Sequence, residues 1–340
     1  MAVVITRDVE AAQGESIVFF ETTGDRHARR LGGLTALERR VREVAKQGAA
    51  RAIVAGAPVA FPRPMPIPVE FVEPGAAPPE GARRERADVI AGVELVDEQA
   101  CRAAEWKLIR GMNKAHEGPV DALINWRFSM RITRVLARRS LAVTPNQVTV
   151  IAILLGLAAA YVASLGGYAA IAIAGAMFEL NSILDSVDGE LARLRFQYSK
   201  LGQWLDNLSD EVVDNAFVVG VGWALGGIWL PLALGAAGGR LVNAIVLYTD
   251  VYRRTGTGDV FEFRWWFESA SSTAVELYDP RSIFTWLRSL GRRDTYVFVW
   301  SIACVAGLPY WVVGHAAAIA SIYLVLLSLQ YTVFRNRRRA

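Results

Sequence analysis

The sequence predicts an α-helical integral membrane protein: six transmembrane helices behind a small N-terminal α/β cytoplasmic domain. Three observations carry this expectation. The chain has 340 residues and is 53% hydrophobic, too apolar for an ordinary soluble enzyme. Six apolar stretches of about 20 residues, the length that crosses the hydrocarbon core, follow one another after residue 145. Between Ser140 and Tyr252 the only Lys or Arg are Arg193, Arg195, Lys200 and Arg240, so positive charge is nearly excluded from this stretch. The expected division is a soluble α/β domain over 1–96, connecting and interfacial helices over 97–140, and a six-helix membrane domain over 141–340.

In the first region, Ile17–Phe20 is a short apolar run suited to a buried strand. A helix is expected from Thr35 to Gln47. Thr35 and Glu38 stand at capping-box spacing, Leu37, Val41, Val44 and Ala45 make one apolar face, and Gly48 ends it. Ala52–Val54 reads as a second strand, which makes a strand–helix–strand unit. Residues 58–84 are rich in Pro, Ala and Gly and read as irregular, and Val89–Val96 reads as a further strand. The first 30 residues lack an apolar core, so no cleavable signal peptide is expected. Cys101 and Cys304 lie in different regions and imply no disulfide framework.

A helix is expected over Asp97–Asn113, broken by Gly118-Pro119. The next, Val120–Arg139, repeats Val120, Leu123, Ile124, Phe128, Ile132, Val135 and Leu136 at helical spacing. Arg127, Arg131, Arg134 and Arg138 take another face. That pattern suits a helix in the membrane interface with its arginines toward anionic headgroups; packing on the soluble domain is the alternative.

The six spans are expected at 146–165, 168–191, 201–225, 228–250, 295–312 and 315–334. The turns at Gly166-Gly167, Gly226-Gly227 and Gly314 contain no Lys or Arg. The opposite side carries the 193–200 turn, a 251–294 loop with seven arginines, and the tail Arg335–Arg339. The positive-inside rule therefore puts both termini and the 193–200 turn at the cytoplasmic side of a cell (plasma or inner) membrane.

Residues 185–210 read DSVDGELARLRFQYSKLGQWLDNLSD. Asp185 and Asp188 are three apart and Asp206 and Asp210 four apart, so each pair shares one helix face. The two pairs end consecutive spans on either side of the basic turn. Four converging carboxylates beside an apolar phase need compensation, and hard divalent cations take oxygen ligands. Ion or substrate transport is the alternative use of intramembrane carboxylates. Transport sites usually lie near the midplane, whereas these acids sit at the helix ends.

The stretch resembles the signature of the CDP-alcohol phosphotransferase (CDP-alcohol phosphatidyltransferase) family, D-x2-D-G-x2-A-R-x8-G-x3-D-x3-D. It falls on Asp185, Asp188, Gly189, Ala192, Arg193, Gly202, Asp206 and Asp210 with every spacing kept. The resemblance implies Mg²⁺ or Mn²⁺, two ions, held by Asp185, Asp188 and Asp206, with Asp210 beside them as base and further ligand. It implies a CDP site made by Asn146, Asp188, Gly189, Ala192, Arg193 and Gly202; Thr144-Pro145-Asn146 opens the first span as in many members. An acceptor hydroxyl would attack the donor phosphorus and release CMP, forming a phosphodiester. The partners it implies are a CDP-alcohol, of the CDP-diacylglycerol or CDP-inositol type, an acceptor such as an inositol phosphate, membrane lipid and a second copy of the chain in a homodimer. No nucleic acid is expected. The first 96 residues resemble a degenerate nucleotidyltransferase domain, without a Gly-rich phosphate loop and following Lys.

Three arginines remain. Arg240, inside the fourth span, is read either as a contact for an acceptor phosphate or as a neutraliser of the aspartates. Arg292 and Arg293 are read as acceptor contacts or as a basic cytoplasmic flank. Glu179 and Asn181 are candidate supports for the metal ligands, Gly235 and Gly239 a close-packing pair, and Trp265, Trp266 and Phe267 interfacial anchors.

Overall fold

The computed structural model describes residues 16–112, 120–138, 143–198, 200–256, 263, 265–266 and 291–333. Asn113, Gly118-Pro119, Phe267, most of the 251–294 loop and the tail Arg335–Arg339 lie outside the described residues. The chain forms two compact units. One comprises Met1–Met112, Thr133–Ala142 and Leu191–Gln197; the other comprises Asn113–Ile132, Val143–Glu190 and Tyr198–Ala340.

The first unit is α/β. Strands β1 (Ile17–Glu21), β4 (Arg51–Ala55), β5 (Val69–Val72) and β6 (Arg83–Arg86) make one sheet in the order β5-β4-β1-β6. All three pairings are parallel. β1 is central and buried on both faces, as its unbroken apolar run requires. Val18 and Phe20 pack beneath Leu37, Val41 and Val44, while Ile17 and Phe19 pack with Ile53 on the other face. Helix α1 (Ala36–Lys46) starts where expected, with the Glu38 N–H donating to the Thr35 hydroxyl at 3.1 Å. The reciprocal half of the capping box does not form. The buried Glu38 carboxylate accepts from Arg42 at 2.9 Å and lies 3.4 Å from Arg63. Residues 58–84 are less irregular than their composition suggests, since β5 and the start of β6 lie there. Val89–Val96 is a hairpin of two short strands, β7 (Val89–Ile90) and β8 (Val93–Glu94), rather than one strand. Another such pair, β2 (Arg30–Leu31) and β3 (Leu34–Thr35), precedes α1. Helix α2 (Glu98–Arg110) is capped by Asp97, which accepts from the Ala100 N–H at 2.7 Å.

The second unit is helical. A π-helical turn, Asp121–Asn125, leads into α3 (Trp126–Arg138). Then follow α4 (Pro145–Ser164), α5 (Tyr168–Arg195), α6 (Lys200–Leu225), α7 (Trp229–Thr255), α8 (Arg293–Val305) and α9 (Tyr310–Thr332). Thr144 and Gln147 close a full capping box at the start of α4, with Pro145 in its first turn. Gly166 and Gly167 take φ of +75° and +78° between α4 and α5, and Gly226 and Gly227 take +64° and +53° between α6 and α7. One core joins all six helices: Ala159, Phe178, Phe217, Ala236, Trp300 and Val313 each come from a different one. Phe178 and Phe217 stack with centroids 4.0 Å apart. Outward-facing side chains are apolar, among them Leu154, Tyr161, Ile173, Leu208, Trp223, Leu234, Ile245 and Val325. Such a surface needs an apolar solvent, and the second unit is that of an integral membrane protein.

Four helices, α4, α5, α7 and α9, are long and apolar enough to cross a membrane. The other two expected spans fall short of that test for separate reasons. The first fifteen residues of α6 carry Asp206, Asp210, Glu211 and Asp214. α8 has 13 residues, about 20 Å against the ~30 Å hydrocarbon thickness. Gly239 closes on Ala320 and Leu324 of α9, while Gly235 meets nothing within 4 Å. Trp265 packs edge-on against Phe263 and Tyr323.

Candidate active site

α5 ends at Arg195 and α6 starts at Lys200, and Asp185 of the first comes beside Asp206 and Asp210 of the second. Asp185, Asp206 and Asp210 each offer a carboxylate oxygen, and these oxygens lie within 4.8 Å of one another. Asp206 Oδ1 is buried with no hydrogen-bond donor among the described residues. Asp188, one turn along α5 from Asp185, is buried and receives a hydrogen bond from the Thr149 hydroxyl of α4. Thr149 also donates to Pro145 O at 3.2 Å, so the first turn of α4 is tied to the motif. Asn146 lies exposed in that same turn.

Gly189 and Gly202 are half-buried, at the end of the Asp188 turn and in the first turn of α6. Ala192 and Arg193 are half-buried on the last turns of α5, within the first compact unit. The Arg193 Nε is a buried donor without a partner among the described residues.

Arg293 enters the acidic group. Its Nη1 lies 2.7 Å from Asp185 Oδ2 and 2.9 Å from Asp210 Oδ1. Its Nη2 donates to Asn181 Oδ1 at 3.2 Å and its Nε to Asp214 Oδ1 at 3.4 Å. Arg292 instead pairs with Asp294 at 3.3 Å. Arg240 is buried beside Asp214. It donates to Asp214 Oδ2 at 3.1 Å, to the Tyr296 hydroxyl at 3.0 Å and to Asn215 Oδ1 at 3.2 Å. The Tyr296 hydroxyl also donates to Asp214. Asn181 donates to Ala152 O at 2.7 Å and so holds its oxygen toward Arg293, while Glu179 is half-buried on the same helix.

Asp214 is the residue that the sequence reading missed. Its signal was present: it stands four residues after Asp210, which continues the carboxylate face by one more turn. Asn125 and Ser129 were missed as well. They bind Ser182 and Glu190 of α5, so the buried side of this segment mixes polar Asn125, Ser129 and Thr133 with apolar Met130 and Ala137.

The donor set suits a hard divalent cation. Three carboxylates converge, one of their buried oxygens lacks a donor, and neither sulfur nor imidazole is present in the group. The cluster could therefore bind a metal.

Residues 142–275 match the family model described as CDP-alcohol phosphatidyltransferase. The chain is 30% identical to the bifunctional IPC transferase and DIPP synthase of Aquifex aeolicus over 217 residues, 62% of this chain and 44% of that protein. It is 35% identical to the protein of the same name from Thermococcus kodakarensis over 127 residues, 37% of this chain and 28% of the relative. With the archaetidylinositol phosphate synthase of Pyrococcus horikoshii it shares 39% identity over 98 residues, 29% of this chain and 48% of that enzyme. The chain thus spans 28–48% of the length of these three curated relatives. The whole eight-position acidic motif lies inside residues 142–275, the part of the chain that matches the CDP-alcohol phosphatidyltransferase model.

Proposed function

We propose that the protein transfers the substituted phosphoryl group of a CDP-alcohol to an acceptor hydroxyl and releases CMP. The observation that carries this reading is the convergence of Asp185, Asp206 and Asp210 within 4.8 Å inside the matched domain. These acids, with Asp188, would hold Mg²⁺ or Mn²⁺, two ions in this reading. A divalent cation bound there supplies charge neutralisation at the diphosphate and polarises the phosphorus next to the alcohol. Asp210 takes the proton from the acceptor hydroxyl. The new phosphorus–oxygen bond forms as the bond to CMP breaks. Arg193, with a spare buried donor, pairs with the donor phosphate or stacks on cytosine, and Asn146, Gly189, Ala192 and Gly202 line the same CDP site. Arg240, Arg292 and Arg293 receive an acceptor phosphate. The Pyrococcus relative is named for an inositol phosphate, which supports an acceptor of that kind; the donor is a CDP-diacylglycerol or CDP-inositol type.

In this reading all six helices α4–α9 cross a cell membrane, and the termini and aspartates face the cytoplasm, where soluble acceptors and CDP-alcohols meet. α3 and the π-helical turn before it lie in the interface, supported by the exposed Leu123, Phe128 and Val135. The protein acts as a homodimer. The α/β unit is a catalytically silent scaffold. The ligand crevice of such a sheet lies beyond the strand ends where the order reverses, here between β1 and β6. Arg26, Arg86, Asp88 and Glu94 occupy that end with ion pairs to one another.

The test is CMP release by purified protein from a panel of CDP-alcohols, with acceptors varied one at a time. CMP should appear only with Mg²⁺ or Mn²⁺ present and stop on chelation. Asp206→Asn should be partly rescued by excess metal, whereas Asp210→Asn should lose roughly 10²–10⁴ in turnover without rescue. CMP release undiminished in chelator would sink the mechanism, and substrate flux into vesicles without CMP would favour a transporter.

A further inference from the structure

The end of α5 and the residues after it, Leu191–Gln197, belong to the first compact unit, and the reaction scheme uses only Ala192 and Arg193 of them. A helix end leaves carbonyls without intrahelical donors. Two arginines of the α/β unit supply donors here. Arg39 Nη2 donates to Leu194 O at 2.8 Å and to Leu31 O at 3.2 Å. Arg63 Nη2 donates to Arg195 O at 2.8 Å and is itself held by Glu38.

The chain reversal that follows is costly. The Gln197 N–H donates to Ala192 O at 2.9 Å and the Phe196 N–H to Arg193 O at 3.4 Å, the pairing that usually puts glycine in the left-handed position. Phe196 occupies that position with φ +53°, a conformation that bulky residues rarely adopt. The surroundings hold it there. The Arg39 guanidinium and the Lys46 ammonium lie 5.6 and 4.9 Å from the Phe196 ring centroid. Gly32 comes so close that a Cβ would stand 2.8 Å from Leu194 Cγ. Burial pushes the Arg39 guanidinium down to about 10, so this arginine is kept inside against a desolvation cost. The carbonyls of Leu31 and Leu194 are what it gains there.

We propose that Arg39 and Arg63 are positioning residues for donor binding: they fasten the end of α5 and so fix Arg193, the residue next to Leu194, to receive the CDP moiety. This rests on the reading of Arg193 as a CDP contact. It gives the silent α/β unit a task in the reaction without giving it a reaction of its own.

The experiment uses the full chain in detergent or nanodiscs, with Arg39→Met, Arg39→Lys and Arg63→Met. Three quantities are read: KM for the CDP-alcohol, KM for the acceptor, and Mn²⁺ affinity measured without turnover. Each Met variant should raise the donor KM about tenfold or more, the size of one charge-assisted hydrogen bond. Acceptor KM and Mn²⁺ affinity should stay near wild type. Arg39→Lys should recover part of the loss, because an ammonium reaches one carbonyl where the guanidinium reaches two. Amide hydrogen exchange over 191–198 should quicken in the Met variants. An unchanged donor KM in an active enzyme overturns the proposal alone. A rise in both KM values together with a fall in Mn²⁺ affinity, in Arg39→Lys as well, would make these residues merely structural and overturn it too. A wild type that turns over no CDP-alcohol would instead bring down the functional reading, and this proposal with it.

Discussion

Asp214 is the acid on which Arg240, Arg293 and Tyr296 meet. A buried pair of this kind adds little net stability, but stripping away one partner leaves an uncompensated charge. Asp214→Ala strands Arg240 with Glu211, 3.9 Å away, as its remaining acid. The expected loss is about 3–5 kcal/mol. Adding Arg240→Leu to the same chain should return part of it. Melting midpoints of the wild type, both single variants and the double variant in one detergent check this; losses that simply add would show that the two residues are not coupled. Arg240 thus has a specific partner, and that partner is outside the signature. The two residues are 26 apart in sequence, on different helices, so no local spacing linked them.

At the scale of elements, the helix starts were legible because caps are local. Thr35, Asp97 and Thr144 each cap the helix that follows them, as their residue types and positions suggest. Helix contacts were less legible. Gly220 on α6 stands against α4, where an added Cβ would lie 2.3 Å from Ala160 O. Backbone cannot swing aside as a long side chain can. Gly220→Ala should therefore force the two helices apart and cost about 1–3 kcal/mol, the usual range for overpacking. The cost should appear as a lower melting temperature and weaker retention in harsh detergent. A control at Gly238, which meets nothing within 4 Å, should be near neutral as Gly238→Ala. Equal behaviour of the two variants would show that the α4–α6 approach is looser than described.

The whole molecule adds orientation to these contacts. Residues 196–199 are flanked in sequence by Arg193, Arg195 and Lys200, and the 165–167 turn has no basic residue near it in sequence. With Cys101→Ser and Cys304→Ala as background, Leu165→Cys and Tyr198→Cys place a thiol at positions 62% and 57% exposed, on opposite ends of α5. A membrane-impermeant maleimide applied to intact cells should label Leu165→Cys and spare Tyr198→Cys until the membrane is opened. The opposite pattern would reverse the sidedness and put the aspartates outside.

Whereas the last helix starts at Tyr310 rather than after Gly314, the sequence by itself determined the membrane half, the starts of the helices capped by Thr35, Asp97 and Thr144, and the two aspartate pairs. Each depends on composition or on spacing within one or two turns, and helical geometry converts that spacing directly into a shared face. Tertiary structure decided which groups from distant segments meet. Arg293, 108 residues from Asp185, enters the acidic group; Arg39, 155 residues from Leu194, holds the end of α5; and Glu38 turns to Arg42 and Arg63 instead of closing its capping box. It also gave Asp188 the Thr149 hydroxyl of α4 as a hydrogen-bond donor. A charged side chain taken from water must find a partner, and which partner it finds depends on the packing of whole helices rather than on its neighbours in the chain.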